Sequence, residues 1–311
     1  MKHPPGSPFY DLHYHPNIHG LPGPMRHTRL AHHARALAHM GHGVVAATEH
    51  GYKKPRDGYC WLRDAAAEAA PLVTILPGVE CISRQGVDMI FLYASEGDLE
   101  RATRQRAPFS WDVQDLGRIA AAEGALTIIP HPFFIGRTGA GRILGETGFL
   151  RLAEQADYVE VHNGASYPAR KALYGRSTRV HLPGERLAGI RYTHLLPPRL
   201  RPEGVGWAVG SDAHFPGGQY YLGVSPQWDH ALTPFQNLAR RRHFTPLPGP
   251  DLPSQDMPLD PWSLWRSGRC ALGEYLLKSG LQHPLGRRGG AGNCNPACAL
   301  PREIPPSAPT A

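Results

Sequence analysis

The chain has 311 residues, a mass of 34.1 kDa and a hydrophobic fraction of 41%, which is enough to bury the core of one large domain. Five scattered cysteines argue against a disulfide framework and for a cytoplasmic location, and no apolar run approaches the roughly 20 residues that span a bilayer, so we expect no membrane association. The net charge of +7 favours an anionic partner, either a small phosphorylated molecule or a nucleic acid.

Short apolar runs alternate with helical patterns through the first two-thirds of the chain. The predicted strands are Pro8–Leu12, Val44–Thr48, Val73–Leu76, Met89–Tyr93, Ala125–Ile129, Tyr158–Val161 and Trp207–Val209. The predicted helices are Arg29–Met40, Trp61–Ala70, Val113–Glu123 and Phe149–Gln155, with Gly41 ending the first. This alternation predicts an α/β fold in which parallel strands form a sheet or barrel.

The composition changes near residue 246, where prolines begin to arrive at short intervals without a clean period. We therefore predict a hydrolase domain over residues 1–245 and a Pro/Gly-rich C-terminal extension over residues 246–311. The extension is expected to be partly disordered, apart from a short helix at Leu272–Ser279.

The most informative pattern is that residue types that bind metals follow the predicted strands directly. Six segments show it: 9–15, 44–50, 75–80, 128–132, 159–163 and 209–214. Because the carboxyl ends of parallel barrel strands open onto one face, we expect these six segments to deliver their side chains to one site.

The ligand types within these segments indicate the metals. His13 and His15, like Asp212 and His214, are two residues apart and so project to the same side of an extended strand. The Pro77-Gly78 pair predicts a turn that ends its strand and aims Glu80 across the mouth of the barrel. Imidazole and carboxylate ligands without cysteine favour a catalytic site for zinc, manganese or iron over a structural zinc site.

With these motifs the chain resembles the PHP family, the polymerase and histidinol phosphatase superfamily of metal-dependent phosphoesterases. The resemblance covers roughly residues 8 to 230 and rests on five motifs that occur in the family's order. They are Asp11-Leu-His-Tyr-His15, Thr48-Glu-His-Gly51, Leu76-Pro-Gly-Val-Glu80, Pro130-His-Pro132 and Gly210-Ser-Asp-Ala-His214. The resemblance implies a distorted (β/α)7 TIM-like barrel that binds two or three divalent metal ions at the carboxyl ends of its strands.

The resemblance also implies how the ligands are shared among the metals. His13, His15, Glu80 and Asp212 would bind the first metal, and Glu80 and His131 the second. His50, His214 and His19 would bind the third. Of these residues, the implied catalytic set is His13, His15, Glu80, His131, Asp212 and His214.

Two positions depart from the family pattern. The family usually places a histidine on the strand after the glutamate motif, where this chain has Asp88 and Met89, so His162 is a candidate to complete the second site. Glu49 stands where the family has aspartate, in a position expected to orient a ligand rather than to bind metal.

The function expected from these residues is hydrolysis of a phosphate ester by metal-activated water, with Arg137 as the candidate to grip the phosphate. A small phosphorylated metabolite or nucleotide is the favoured substrate. A nuclease is possible but not favoured, since Arg240–Arg242 is the only tight basic run. An amidohydrolase-type barrel is a further alternative, but it would normally supply a bridging lysine from a middle strand, and no lysine ends a strand here. A metal-binding domain without turnover is the alternative from another class, and the missing histidine at Met89 is its best support.

Overall fold

The computed structural model describes residues 8–134, 138–165, 196, 198–216, 218–219, 221–225 and 227–248, and five helical residues further on, Trp265, Arg269, Leu272, Gly273 and Leu276. Nine described strands form one sheet. Their bounds are β1 (Phe9–Tyr14), β2 (Gly43–Ala47), β3 (Val73–Ile82), β4 (Asp88–Leu92), β5 (Leu126–Ile129), β6 (Tyr158–Asn163), β7 (Gly206–Gly210), β8 (Tyr221–Val224) and β9 (Thr245–Pro248). The strand order across the sheet is β7-β6-β5-β4-β3-β2-β1-β8-β9.

The sheet curls into a nearly closed barrel, because its first strand also meets the chain that follows β7. The Asp212 amide donates to the His13 carbonyl at 2.7 Å, and the His15 amide donates to the Ala213 carbonyl at 3.1 Å. At the opposite end of β7, the Phe244 amide donates to the Trp207 carbonyl at 2.9 Å. The expected α/β barrel is therefore confirmed, and β8, which pairs antiparallel with both β1 and β9, extends the sheet beyond β1.

The strand that carries Glu80 differs from the prediction. β3 continues through Pro77 and Gly78 and changes its partner there: Ala47 on β2 pairs with Pro77, and Leu92 on β4 pairs with Gly78. The predicted turn was wrong, because an extended proline fits where a strand passes from one neighbour to the next. β4 also runs antiparallel to β3 and β5, so the barrel is not wholly parallel.

The last strand crosses the boundary that the sequence predicts at residue 246. β9 carries Pro246 and Pro248 and pairs with β8 over its whole length. Prolines are tolerated there because β9 lies at the end of the strand order, where one side of the strand needs no amide donors. The division of the chain into two domains remains a prediction, since most of residues 249–311 lie outside the described part.

Six α-helices are described: α1 (Gly23–Met40), α2 (Pro55–Ala69), α3 (Glu96–Gln105), α4 (Leu116–Glu123), α5 (Ala140–Ala153) and α6 (Pro234–Ala239). Gly41 ends α1 with φ 93°, as predicted. The sequence prediction missed α3 because only Leu99 and Ala102 are buried in it, although its capping residue Ser95 was a readable start signal. Among the described helices, none combines the length and apolar character that crossing a bilayer requires.

Helix α1 packs against β1 through a buried polar pair, in which the Tyr14 hydroxyl contacts Nδ1 of His33. Burial, with a smaller effect from nearby Arg29, lowers the pKa of His33 from 6.5 to about 3. Below pH 6.5 the unfolded chain therefore takes up a proton that the folded protein excludes, and stability falls as the pH falls.

We accordingly expect acidification from pH 7 to pH 5 to cost the wild type about 2 kcal/mol more than it costs a His33→Gln variant, at ~1.4 kcal/mol per pH unit. Urea unfolding of both proteins at the two pH values measures this difference. Equal losses in both proteins would contradict the assignment of a neutral buried His33.

Candidate metal centre

The strand ends bring the predicted ligands together at one end of the barrel. His13 and His15 lie at the end of β1, next to Asp212 and His214, which follow β7, because these two chain segments hydrogen bond to each other. His50 follows β2 and forms a parallel bridge with Glu80 on β3. Three groups of these side chains place their ligand atoms within 4.8 Å of one another.

The first group consists of His13, His15 and Asp212, all buried. Oδ1 of Asp212 lies 3.5 Å from Nε2 of His13 and 3.3 Å from Nε2 of His15. The two imidazole nitrogens are themselves 3.0 Å apart. Two imidazole nitrogens that face each other and a carboxylate surround one shared point that suits a cation.

The second group consists of His13, Glu80 and His131. Oε1 of Glu80 lies 3.1 Å from Nε2 of His131 and 3.9 Å from Nε2 of His13. His13 thus belongs to two groups, whereas the resemblance implied it for the first metal only.

The third group consists of His15, His50 and His214. The Nε2 atoms of His50 and His214 are 3.4 Å apart, and Nδ1 of His50 lies 2.7 Å from Oε2 of Glu80. The same Glu80 oxygen lies 3.6 Å from Nε2 of His15. The two oxygens of Glu80 therefore face different groups, as a carboxylate that bridges two cations would.

The cluster does not include every predicted residue that the structure describes. His19 is exposed, beyond the buried Ile18, and belongs to none of the three groups. Arg137 lies outside the described residues. The third group contains His15 where the resemblance implied His19.

The pairing of β3 with β4 shows where Asp88 and Met89, which replace the family's usual histidine, lie relative to Glu80. Glu80 pairs with Ile90 and Cys81 pairs with Met89, so Met89 lies on the opposite face of the sheet from Glu80. Asp88 pairs with Ile82 and shares the face of Glu80, and its charge helps to raise the pKa of His131. The centroid of the His162 ring lies 4.0 Å from that of the Tyr221 ring at a tilted angle, and His162 is absent from the three groups.

Residues that the sequence reasoning did not select hold the ligands in place. Glu160 accepts the His131 amide at 2.5 Å and lies 3.3 Å from Nδ1 of His13. Asn163 donates to Asp212 Oδ2 at 3.2 Å and to Glu160 at 3.0 Å. A charged residue between the two valines of β6, Val159 and Val161, was the sequence signal that could have identified Glu160.

The cluster combines carboxylates that stay ionised with imidazoles that attract protons. Burial opposes ionisation of both kinds of group, but the neighbouring carboxylates of Asp212 and Glu49 raise the pKa of His15 to about 10, and Glu80 raises the pKa of His131 to about 9. The surrounding imidazoles in turn hold the pKa of Asp212 and of Glu80 below the usual range. This electrostatic environment stabilises positive charge, and the buried histidine and carboxylate donors fit divalent cations.

The position of His19 leads to a direct test. We expect His19→Ala to leave the metal content per chain unchanged, and His214→Ala to remove the metal of the third group, since of these two residues only His214 lies in it. Elemental analysis of both variants after metal loading and gel filtration measures this. An equal loss of metal in His19→Ala would instead support the ligand set that the resemblance implied for the third metal, which includes His19.

Gly210, at the end of β7, lies directly against two side chains of the cluster. A Cβ atom there would lie 2.3 Å from Cβ of His13 and 2.4 Å from Oε1 of Glu160. We expect Gly210→Ala to lower the free energy of unfolding by about 1–3 kcal/mol through overpacking. Gly97→Ala, at an exposed helical position with only Ser95 Oγ nearby at 3.8 Å, is the matched control and should be neutral or stabilising. Equal unfolding midpoints in urea for the two variants would contradict this prediction.

The sequence and the fold of this chain were compared with those of known proteins. No family model matches the sequence, and no curated protein matches it. Among solved structures, the chain is similar to PsfC from Pseudomonas syringae, with a TM-score of 0.52 and 17% identity over 86% of this chain and 98% of that one. The lesion-specific endonuclease PfuEndoQ from Pyrococcus furiosus matches with a TM-score of 0.43 and 9% identity over 76% of this chain and 57% of that one. An amidohydrolase from Chromobacterium violaceum matches with a TM-score of 0.42 and 16% identity over 76% and 97%.

Proposed function

We propose that this protein is a metal-dependent phosphoesterase that hydrolyses a small phosphorylated metabolite or nucleotide. The observation that carries the proposal is that the three ligand groups are adjacent: His13 belongs to the first and second, His15 belongs to the first and third, and the two oxygens of Glu80 face the second and the third. Closely spaced divalent cations supply an activated water and neutralise charge on both the attacking and the leaving oxygen of a phosphoryl group.

The residues have distinct tasks in this proposal. Asp212, His13 and His15 would hold one cation, Glu80 and His131 a second, and His50 and His214 a third, because Nε2 of each histidine has a single lone pair and serves one cation. Glu49 orients part of this set, because its carboxylate accepts the His50 amide at 3.1 Å and lies 3.7 Å from Nδ1 of His15. The metals are zinc, manganese or iron, in keeping with these ligands.

The surroundings of the cluster favour a small substrate. The side chains of His13 and His15 are at most 1% exposed, and among the residues of the three groups the side chain of His214 is the most accessible, at 15%. A terminal phosphate enters such a recess more readily than a duplex backbone does. The net charge of +7 attracts either kind of anion and does not distinguish between them.

The test is hydrolysis by protein stripped with a chelator and reloaded separately with Mn²⁺, Zn²⁺ or Fe²⁺. We expect release of phosphate from p-nitrophenyl phosphate only after reloading, followed by selectivity within a panel of phosphorylated metabolites. His131→Ala and Asp212→Ala should abolish the activity, and His39→Ala, at an exposed position on α1, should retain it. Undiminished hydrolysis in both site variants would disprove the site.

Two further outcomes would redirect the proposal. Cleavage of single-stranded DNA or RNA that exceeds hydrolysis of small esters, and that weakens steeply with salt, would identify a nuclease. Metal binding without hydrolysis of any ester, with all three metals, would identify a binding domain.

A further inference from the structure

Glu160 is a carboxylate that contacts the ligands of the metal centre from behind. It lies inside β6, is buried, and is absent from the three ligand groups of the described residues. Oε1 faces Nδ1 of His13 at 3.3 Å, and Oε2 accepts the His131 amide at 2.5 Å and the Asn163 side chain at 3.0 Å.

The contacts of Oε1 determine which nitrogen of His13 is available to a metal. Nε2 of His13 faces His15, Asp212 and Glu80, whereas Nδ1 faces Glu160. A carboxylate has only acceptor atoms, so it stabilises the tautomer with the proton on Nδ1 and leaves the lone pair of Nε2 for a ligand.

The contacts of Oε2 constrain two strained residues. His131 has φ 29° and Asp212 has φ 50°, values that are unfavourable for residues other than glycine. Glu160 holds the His131 amide, and Asn163 joins Glu160 to the Asp212 carboxylate. Glu160 and Asn163 thus fix the His13 ring, the backbone at His131 and the Asp212 carboxylate.

We infer that Glu160, together with Asn163, is a positioning residue that selects Nε2 of His13 as the ligand atom and couples the first and second ligand groups through its contacts to His13, to the His131 amide and, by way of Asn163, to Asp212. The inference rests on the metal binding of the proposed function but not on its phosphate-ester chemistry. The third group lacks His13 and does not depend on this coupling.

Glu160→Gln tests the coupling with almost no change in shape. Two donors, the His131 amide and the Asn163 amide, face the Oε2 side, so the glutamine oxygen must take that position. The glutamine NH₂ then faces Nδ1 of His13, which must become an acceptor, and the ring proton moves to Nε2, where it points at the ligand groups.

We expect the metal content of zinc-loaded Glu160→Gln to fall to that of the third group alone, or the affinity of the other two groups to weaken by about 10- to 100-fold. Long-range ¹H–¹⁵N spectra of ¹⁵N-histidine-labelled protein should show His13 protonated on Nδ1 in the wild type and on Nε2 in the variant. Glu68→Gln, the same chemical change at an exposed position on α2, should alter neither readout. Unchanged metal content and an unchanged tautomer in Glu160→Gln would overturn the inference.

Two controls keep the result interpretable. If circular dichroism shows that Glu160→Gln does not fold, the wild-type spectrum decides alone, because a proton on Nε2 of His13 in the zinc-loaded protein overturns the inference and one on Nδ1 supports it. If the wild type binds zinc but hydrolyses no phosphate ester, the proposed function fails while loss of metal in the variant still supports the coupling.

Discussion

Glu80→Gln is expected to lower kcat/KM for phosphate-ester hydrolysis by about 10³-fold, equivalent to ~4 kcal/mol of transition-state stabilisation. The reason is geometric, since each Glu80 oxygen serves a different ligand group: Oε1 lies near His131, and Oε2 lies near His50. An amide retains one acceptor but loses the charge and replaces the other acceptor with a donor. The site should therefore lose its bridge between cations while keeping its shape.

Steady-state kinetics and elemental analysis of the same Glu80→Gln preparation separate two effects. A lower metal content together with lower activity shows that Glu80 holds the cations, and an unchanged metal content with lower activity shows that it only organises them. Glu68→Gln is again the control, because Glu68 is exposed on α2, away from the cluster. Activity within a factor of two of the wild type in Glu80→Gln would contradict the assigned role.

Arg106→Ala is expected to lower the free energy of unfolding by about 3–5 kcal/mol, because it leaves a largely buried carboxylate without its cation. The Arg106 guanidinium contacts Glu123 and lies 3.3 Å from the Tyr93 hydroxyl. It also lies 3.6 Å from the centroid of the Phe91 ring, which adds a cation–π contact. These contacts join the end of α3 to β4 and to α4.

Urea unfolding of three variants measures this effect and isolates its cause. Arg104→Ala is the matched control, since its ion pair with Glu100 is exposed and worth less than about 1 kcal/mol. The double variant Arg106→Met with Glu123→Met should recover much of the lost stability, because it removes both charges and keeps the volume. A loss in Arg106→Ala no larger than that in Arg104→Ala would contradict the prediction.

The sequence was sufficient for the barrel and for most of the side chains that cluster at one end of it, because both depend on local patterns. An apolar strand followed by histidine or a carboxylate is visible without any knowledge of neighbours, and a parallel barrel collects such strand ends on one face. His13, His15, Glu80 and His131 could therefore be selected before their partners were known. His19 could not be judged in this way, because it follows its strand at a distance that leaves the loop conformation to decide its direction.

The antiparallel β4 was predictable in principle. Only residues 83–87 separate it from β3, and so short a connection joins antiparallel strands, whereas a parallel crossover needs a dozen residues or more. The assumption that Pro77 ended β3 hid this signal. The role of Glu160 was less accessible, because it depends on which nitrogen of His13 faces β6 and on the backbone angle of His131, and neither follows from a pattern of residue types.

The closure of the barrel between β1 and the segment after β7 has a consequence for the order of folding. Asp11 accepts the Ser211 amide although the two residues are 200 positions apart, so the first ligand group joins nearly the first and nearly the last part of the barrel that a ribosome makes. A nascent chain cannot assemble His13, His15 and Asp212 until residue 212 has emerged, and closing so long a loop costs more entropy than any local step. Metal capture at this group should therefore mark the completion of the barrel rather than its nucleation.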